Sequence, residues 1–513
     1  MNSNNKTIAK NTIYLYFRMM FTMLVSLYTS RVVLKVLGVE DFGTYQAVGG
    51  IVIMLSFVNS ALSNGTSRFL TYELGTGDYE KLRKTFSSLL SLHIIIAIIT
   101  VLVAETIGLW FVMNKLVIPD GRMEAALFVY HMSVLTSVIT ITQVPYNATI
   151  ISHEKMGVYA YLSIFEVVTK LLIVYVLILF GWDKLKLYSL LLALLQIATA
   201  LYYRHYCVKN FSETRNSFIL DKSIVKEVLG YSIWNLISSI SIPLKNQGLI
   251  ILINMFFSPA VVTARALANQ VNMAANQFIQ NFRTAANPQI VKRLASGNIQ
   301  GSKALLLSST KYSYFMMLVL CLPICLLTEP LLTLWLGDIP EYTVIFLQLT
   351  IITSLFQVFD NSFYTALYAV GRIKENALIS PMLGILTFPI TFFLFKLGHS
   401  PIIVAWILLI LYILLGVIVK PILIVKYASY KWREIIDVFI VCFKVTLLSS
   451  IFPMIFYFYK ENLFESDITS NIILLFICLL STTVAIWYIG LESQIKSKII
   501  SAVKKAITKT IKA

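Results

Sequence analysis

Charged residues are scarce in this chain of 513 residues: they make up 13% of it, against about a quarter of an average soluble domain. Hydrophobic residues make up 58%, and the mean hydropathy is +0.79. Long polar linkers are missing. Only short polar segments separate the apolar blocks, which are about 20 residues long, the length a helix needs to cross a bilayer. These absences exclude a soluble multidomain protein and predict an all-α multi-pass membrane protein.

Cysteine is also rare, and the five residues lie in or beside apolar blocks, so no disulfide framework is predicted. Cys321 and Cys325 share a helix face, but no His or carboxylate stands near them at ligand spacing, so we expect no metal site. The short alternating strands of an outer-membrane barrel are missing. A short apolar core followed by a cleavage site is missing too, so residues 11–33 are interpreted as a first span and not as a signal peptide.

Motifs of catalysis are absent from the sequence. It contains no GxxxxGK[ST] phosphate loop, no HExxH zinc motif and no GxSxG nucleophile elbow. The loops between the apolar blocks are too short to form an extramembrane domain with acid–base groups. We therefore expect a protein that is not an enzyme and that needs no cofactor.

About fourteen apolar blocks are long enough to span a membrane. The loops on the N-terminal side carry about 28 Lys and Arg, against about 8 in the alternate loops, and such residues mark the cytoplasmic side. An even number of spans then places both termini in the cytoplasm, and the net charge of +17 indicates topology, not a nucleic-acid surface. The predicted spans are 11–33, 44–66, 86–112, 123–148, 157–180, 187–207, 229–256, 259–285, 304–328, 341–365, 376–396, 402–425, 438–458 and 470–490.

An internal repeat relates the two halves of the chain. LGTGD recurs as LASGN after 220 residues, and VPYNATIISHEKMGVYAYLSIFE resembles NSFYTALYAVGRIKENALISPML 217 residues later. Two nearly equal offsets predict two pseudo-symmetric six-helix lobes, and such repeats place a central substrate cavity at their interface. The predicted domains are an N-lobe at 1–210, a C-lobe at 211–430, two further spans within 431–490 and a cytoplasmic tail at 491–513.

The C-terminal tail is strongly basic. Apolar residues recur every four positions from Ile495 to Ile511, and lysines occupy the remaining faces. This pattern predicts an amphipathic helix that lies on an anionic leaflet, with membrane lipids as its partner. A solvated, frayed tail is the alternative interpretation.

Polar residues follow one face of the predicted span 8. They step by three or four positions, so a helix places them on a single stripe. Amides can hold helices together by hydrogen bonds across a membrane interface. We favour the wall of a water-filled cavity, because an Arg stands near each end of the stripe. The stripe consists of Arg265, Asn269, Asn272, Asn276, Gln280, Arg283 and Asn287.

The equivalent face of span 2 is more weakly polar, with Tyr45 and Gly49 among its members, and we expect it to line the same cavity.

Glu166 and Lys170 are four residues apart in span 5 and are predicted to pair as a structural group, with a proton relay as the alternative. Asp360 is expected within reach of a basic residue in the loop that follows span 10.

Span 7 contains the segment SIPLKNQGLIILINM. Pro243 removes one backbone hydrogen bond and clashes with the preceding turn, so the helix is predicted to kink there. Gly248 allows further bending, and the two residues form the predicted hinge. Lys245 is predicted to point into the cavity at this bend, unless an acidic residue from another span neutralises it.

Span 1 adds Arg18 and Arg31 as candidate cavity residues. Either one could instead extend to the nearer membrane surface. Together with Lys245, Arg265 and Arg283 they would make the cavity cationic. A cationic, water-filled chamber attracts a multivalent anion, and Arg and Lys are good donors to phosphate oxygens. The amide stripe would suit a ligand with many hydroxyls, such as an oligosaccharide.

The segment RVVLKVLGVEDFGTY at 31–45, followed by a Ser- and Asn-rich second span, resembles the opening of Wzx-type polysaccharide flippases. These belong to the multidrug/oligosaccharidyl-lipid/polysaccharide exporter superfamily and are similar to MATE transporters. The resemblance extends over the whole chain through helix count, repeat and loop order.

The resemblance implies a flippase of the inner membrane. Such proteins move undecaprenyl-pyrophosphate-linked sugar units from the cytoplasmic to the periplasmic leaflet by alternating access, for O-antigen (lipopolysaccharide), capsule or exopolysaccharide synthesis. Partners would be the lipid-linked oligosaccharide, a polysaccharide polymerase and glycosyltransferases, and no nucleic acid. An Arg in the first span matters in related lipid II flippases, and Arg18 stands at that type of position. Coupling to H⁺ or Na⁺ is implied, although no acidic coupling residue is evident.

Three alternatives stay open. A lipid II-type flippase would use the same architecture. An ion-coupled multidrug exporter of the superfamily would need Asp or Glu in the N-lobe cavity, and spans 1 and 2 contain neither. A scaffold for polysaccharide assembly would need no transport at all.

Overall fold

The computed structural model describes residues 3–55, 57–153, 155–215, 219–463, 466–493, 496–497 and 500–501. Within these ranges the chain forms helices joined by short turns, and no strand occurs among the described residues. The all-α architecture predicted from the apolar blocks is confirmed. Most of the predicted tail helix at 491–513 lies outside the described residues.

The helices follow one another with few long connections. Their bounds are α1 Ser3–Leu37, α2 Val39–Leu55, α3 Phe57–Thr76, α4 Tyr79–Val103, α5 Leu109–Lys115, α6 Met123–Ser152, α7 Met156–Leu179, α8 Lys184–Asn210, α9 Lys222–Pro243, α10 Leu249–Phe256, α11 Pro259–Ala295, α12 Ile299–Leu326, α13 Thr328–Leu336, α14 Thr343–Ala369, α15 Ile373–Lys396, α16 Ile403–Ile413, α17 Lys420–Tyr427, α18 Trp432–Leu463 and α19 Asp467–Ala485. π-helical turns occupy Ala104–Gly108, Leu244–Gly248, Leu414–Val419 and Ile486–Gly490.

Eleven segments of the described chain are long and apolar enough to cross a membrane. They correspond to predicted spans 1, 3–6 and 9–14. Spans 2, 7 and 8 also fall on helices, namely α2–α3, α9–α10 and α11, which are not among these eleven segments of the described chain. The multi-pass character is confirmed, and a count of fourteen stays a prediction.

The chain divides into two compact units. The first consists of Met1–Leu267, Pro340–Thr343 and Leu378–Val404, and the second of Ala268–Ile339, Val344–Ala377 and Ala405–Ala513. These units are defined by packing, whereas the predicted lobes at 1–210 and 211–430 are defined by the sequence repeat. The lobe boundaries therefore stay a prediction.

The first unit has a core between α2, α6 and α8, with Val48, Val129 and Leu185 fully buried. Tyr130 of α6 lies within this core, and its hydroxyl donates to the carbonyl of Ala104 at 2.6 Å. Ala104 begins the first π-helical turn, where the regular hydrogen bonding of α4 is interrupted. The carbonyl of Ala104 also accepts from the N–H of Leu109, so the tyrosine adds a second hydrogen bond to this π-helical turn.

A close backbone contact joins α2 to α11 in the first unit. A Cβ atom on Gly43 would lie 1.9 Å from the carbonyl oxygen of Pro259, a distance that no side chain can tolerate. Next to it, Thr263 Oγ1 donates to the carbonyl of Val39 at 2.6 Å. The glycine of the DFG element at 41–43 is thus required for helix packing.

A charged cluster ties three turns of the first unit together. Arg122, just before α6, donates through Nε to Asp41 Oδ1 at 2.9 Å and also donates to Asp183. Asp183 caps α8 by accepting from the backbone N–H groups of Leu185 and Lys186, both at 3.0 Å. Partial burial acts to raise the pKa of Asp183, but the hydrogen bonds from Arg122 and the backbone outweigh it and hold that pKa below its usual value.

The core of the second unit lies between α12, α14 and α18. Phe359 of α14 stacks on Tyr314 with ring centroids 5.1 Å apart, and it meets Phe439 edge-on at 4.9 Å. Phe346 and Phe363 of the same helix are fully buried. Such aromatic pairs add to the burial of α14 and hold it at a defined rotation.

Candidate functional site

The break in span 7 is a π-helical turn. Helix α9 ends at Pro243, the turn occupies Leu244–Gly248, and α10 continues from Leu249. Proline offers no N–H to the preceding turn, so the regular α-helical pattern cannot pass through it unchanged. The irregular turn begins at the residue after Pro243, where the sequence predicts a kink, and both the kink and its use as a hinge stay predictions. Lys245 lies within the turn and is half-buried.

Helix α15 covers this turn within the first unit. Ser241 Oγ donates to the carbonyl of Pro381 at 3.1 Å, and a Cβ on Gly248 would lie 3.1 Å from the ring of Phe388. Both prolines of α15 thus lie near the irregular part of α9–α10. Because α15 is hydrogen-bonded to α9 next to the irregular turn, a bend in one helix would displace the other.

Two arginines of the polar stripe are buried. Arg265 is 5% exposed and belongs to the first unit, whereas Arg283 is 6% exposed and belongs to the second. Arg283 donates to the backbone oxygen of Asn361, and to Thr365 Oγ1 at 3.4 Å. Gln280 Oε1 also accepts from Arg283 at 3.4 Å.

A buried ion pair lies near Arg283. Lys420 Nζ is 3.3 Å from Asp360 Oδ1, and the Lys420 side chain is 2% exposed. The sequence predicts that Asp360 lies within reach of Arg372 or Lys374. The structure places Lys420 at this carboxylate, and the reach to those two residues stays a prediction. A Cβ on Gly416 would lie 2.6 Å from the carbonyl of Phe356, so this glycine lets the turn before α17 approach α14 and bring Lys420 to the carboxylate.

The middle of the stripe contacts α14. Asn276 Nδ2 donates to Asn272 Oδ1 at 2.7 Å and to Ser354 Oγ at 3.2 Å, and Ser354 in turn donates to Asn272. Such hydrogen bonds hold membrane helices together. They agree with the alternative interpretation of the stripe, in which its amides join neighbouring helices.

The remaining candidates are dispersed. Arg31 is exposed on α1, and Asn269 is half-buried. Arg18 lies on α1, but its side chain is outside the described residues. Because the candidates belong to both units, a cavity that they share stays a prediction.

The first unit contains a polar cavity that the sequence analysis did not identify. Its volume is about 440 Å³, and α2, α6, α7 and α8 line it. Tyr45 and Gly49 of α2 reach it, as expected of a cavity wall, but Glu166 and Lys170 of α7 also line it. The missed signal is the hydroxyl stripe of span 4, whose members lie at helical spacing: Ser133, Thr136, Ser137 and Thr140.

Solved structures share this fold. A multidrug resistance MATE family transporter of the MOP superfamily, inward-facing, aligns with a TM-score of 0.67 at 14% identity over 82% of this chain and 98% of its own. The lipid II flippase MurJ, in an inward closed conformation, aligns with a TM-score of 0.70 at 12% identity. The alignment covers 92% of this chain and 98% of MurJ. A third structure is a MOP superfamily transporter from Pyrococcus furiosus that is described by a reversed polarity of its binding pocket. It aligns with a TM-score of 0.56 at 15% identity over 82% of this chain and 97% of its own.

At these identities the likeness concerns the fold alone. No protein with a curated description matches the chain significantly. The family model of polysaccharide biosynthesis proteins matches residues 8–294, which is more than half of the sequence. This match bears out the polysaccharide-biosynthesis part of the resemblance, and the solved structures bear out the shared fold. The chain belongs to the family of polysaccharide biosynthesis proteins.

Proposed function

We propose that this protein moves undecaprenyl-pyrophosphate-linked oligosaccharide units from the cytoplasmic to the periplasmic leaflet of the inner membrane. The observation that carries the proposal is the family match over residues 8–294, combined with a fold that the lipid II flippase shares. The products would enter O-antigen, capsule or exopolysaccharide, and both termini would lie in the cytoplasm.

Buried arginines support an anionic headgroup as the substrate. Among the residues whose side chains are described, Arg265 is buried in the first unit and Arg283 in the second. A charge removed from water carries a large desolvation penalty, and its field is poorly screened in a low-dielectric surrounding. A pyrophosphate that reaches such a guanidinium can form charge-assisted, bidentate hydrogen bonds. The same group would repel a cationic drug.

Alternating access requires helices that bend at defined points. The π-helical turn after Pro243 is suited to this, because its backbone already departs from regular helical bonding. Lys245 lies in the turn and would move with it. In the proposed cycle the lysine meets the headgroup, the lobes rock about span 7, and the polyprenyl tail stays in the bilayer.

One observation favours a second candidate, the ion-coupled multidrug exporter. That function needs a carboxylate in a cavity of the N-terminal half, and Glu166 lines the cavity of the first unit. Lys170, one helical turn away, lines the same cavity and offsets the charge of the carboxylate. The pair is therefore less suited to a cationic drug than a lone acidic residue would be.

Reconstitution distinguishes the two candidates. Lipid-linked oligosaccharide, isolated from cells that lack the protein, is placed in proteoliposomes, and its appearance in the opposite leaflet is followed with an impermeant periodate probe. We expect transport by the wild type, its loss in Lys245→Ala and Arg265→Ala, and normal transport in Arg433→Ala, which removes an exposed arginine. Wild-type protein that expels ethidium along a sodium or proton gradient and leaves the lipid in place would establish the exporter instead.

A further inference from the structure

We infer that the polar cavity of the first unit is a saccharide subsite, which takes a neutral sugar of the lipid-linked substrate while the pyrophosphate is held elsewhere. The inference rests on the proposed function for its substrate class. Its chemistry follows from the donors and acceptors of the cavity wall. The volume of about 440 Å³ lies within the ~300–1,000 Å³ typical of small-molecule sites.

Three hydroxyl groups of the cavity wall already donate their hydrogens to backbone carbonyls. Thr136 Oγ1 donates to the carbonyl of Met132 at 2.9 Å, and Thr140 Oγ1 donates to the carbonyl of Thr136 at 2.8 Å. Ser189 Oγ likewise donates to the carbonyl of Lys186 at 2.9 Å. A hydroxyl has one donor and two lone pairs. These three groups therefore offer a ligand only acceptors.

An amide chain adds another acceptor at a defined place. Gln196 Nε2 donates to Gln143 Oε1 at 3.0 Å, and Gln143 Nε2 donates to Asn147 Oδ1 at 3.3 Å. Gln196 lines the cavity. This chain holds its side-chain amide in one orientation, and the amide oxygen of Gln196 can accept from a ligand.

These acceptors favour a ligand that carries donors, and other lining residues, among them Gln46, Ser133 and Lys170, can donate in turn. Each free hydroxyl of a sugar donates one hydrogen bond, whereas a fully ionised phosphate only accepts. A phosphate in this cavity would face the lone pairs of Thr136, Thr140 and Ser189 and would leave them unpaired or repelled. A lining that offers both acceptors and donors suits a saccharide, because each sugar hydroxyl can donate and accept.

The remaining lining agrees with a neutral sugar. Glu166 and Lys170 are four residues apart on α7, and their formal charges sum to zero. The carboxylate accepts strong hydrogen bonds from hydroxyls, and the ammonium donates to ring or hydroxyl oxygens. Tyr45 and Tyr188 stand side by side, with ring centroids 5.2 Å apart, and provide an apolar surface for the C–H face of a sugar ring.

The test measures binding of the sugar without its lipid. The free oligosaccharide is released by mild acid from the lipid-linked intermediate, and the Tm of the full-length protein in detergent is followed against its concentration. The cavity variant is the double substitution Thr136→Val and Thr140→Val. The matched control is Thr199→Val, because Thr199 Oγ1 also donates to a helix carbonyl, at 2.9 Å, but is buried outside the cavity lining.

We expect the oligosaccharide to raise the Tm of the wild type and of the control alike. The double variant should bind it about tenfold more weakly, the factor expected for two lost hydrogen bonds. Should the double variant fail to fold, Lys170→Gln replaces it, with weaker binding again expected. Either no rise in the wild type or an equal rise in all variants would overturn the inference.

A coupling ion is the competing occupant. If NaCl or acid raises the Tm in place of the sugar, and Glu166→Gln abolishes that rise, the cavity is an ion site and the inference fails. Failure of the proposed function would look different, because wild-type proteoliposomes would then not move the lipid-linked intermediate, whatever the free sugar does to the Tm.

Discussion

The ammonium of Lys420 lies 3.3 Å from the carboxylate of Asp360, and the lysine is almost fully removed from solvent. Its Nζ also lies 5.4 Å from the ring centroid of Tyr364. Removing one partner of a buried pair leaves the other charge uncompensated, which costs about 3–5 kcal/mol in measured cases. The pair therefore holds α17 to α14, although a well-packed apolar pair could do the same.

Substitution of Lys420→Met should destabilise the second unit, because the Asp360 carboxylate would lose this cation. We expect a clearly lower Tm in detergent for Lys420→Met. The double substitution Lys420→Met and Asp360→Asn should recover most of the loss, since it removes the remaining charge as well. Equal Tm values for the single and double variants would contradict this account.

Substitution of Gly43→Ala should disturb the contact between α2 and α11, since the new Cβ would meet the carbonyl of Pro259. Overpacking of this kind typically costs about 1–3 kcal/mol. Expression as a monodisperse species and the Tm are the measurements. Gly75→Ala is the matched control, because Gly75 is also helical and has nothing within 4 Å of its Cβ position. A Gly43→Ala protein as stable as the control would show that the helices can separate freely.

Acid should weaken the cluster of Arg122, Asp41 and Asp183. The pKa of Asp183 is lowered in the folded protein, so its contribution is complete above the unfolded value of about 3.9 and is lost as the pH falls through the folded pKa. We expect the Tm of Asp183→Asn to be lower than that of the wild type at pH 7, with the difference shrinking towards pH 3. Asp437→Asn, at an exposed position, is the control. If the Tm difference between Asp183→Asn and the wild type grows as the pH falls, the assigned direction of the pKa shift is wrong.

Substitution of Pro243→Ala should slow transport while the protein still folds, because alanine restores the N–H and allows regular α-helical bonding through the turn. The proteoliposome assay gives the rate, and we expect a reduction of about tenfold or more, a barrier change of about 1.4 kcal/mol. Pro323→Ala serves as the control, since Pro323 is likewise inside a helix, α12. Unchanged transport in Pro243→Ala would remove the hinge from the mechanism.

The sequence by itself determined the class of the protein and the rotation of individual helices. Apolar blocks of membrane length must become helices, since backbone groups in hydrocarbon need partners within the segment. The missing N–H of Pro243 predicted a kink, and a π-helical turn begins at the next residue. Helical spacing placed Asn272 and Asn276 on one face, and the structure has them bonded together.

Only the tertiary structure decided which faces meet. Asn272 bonds Ser354, 82 residues away, and Lys420 reaches Asp360 because Gly416 permits a close approach. The cavity in the first unit draws on four helices, and no single periodicity reveals it. The physical reason is that lipid satisfies an apolar helix equally well at many lateral positions, so the neighbours of each helix are selected by side-chain packing and hydrogen bonds between distant segments.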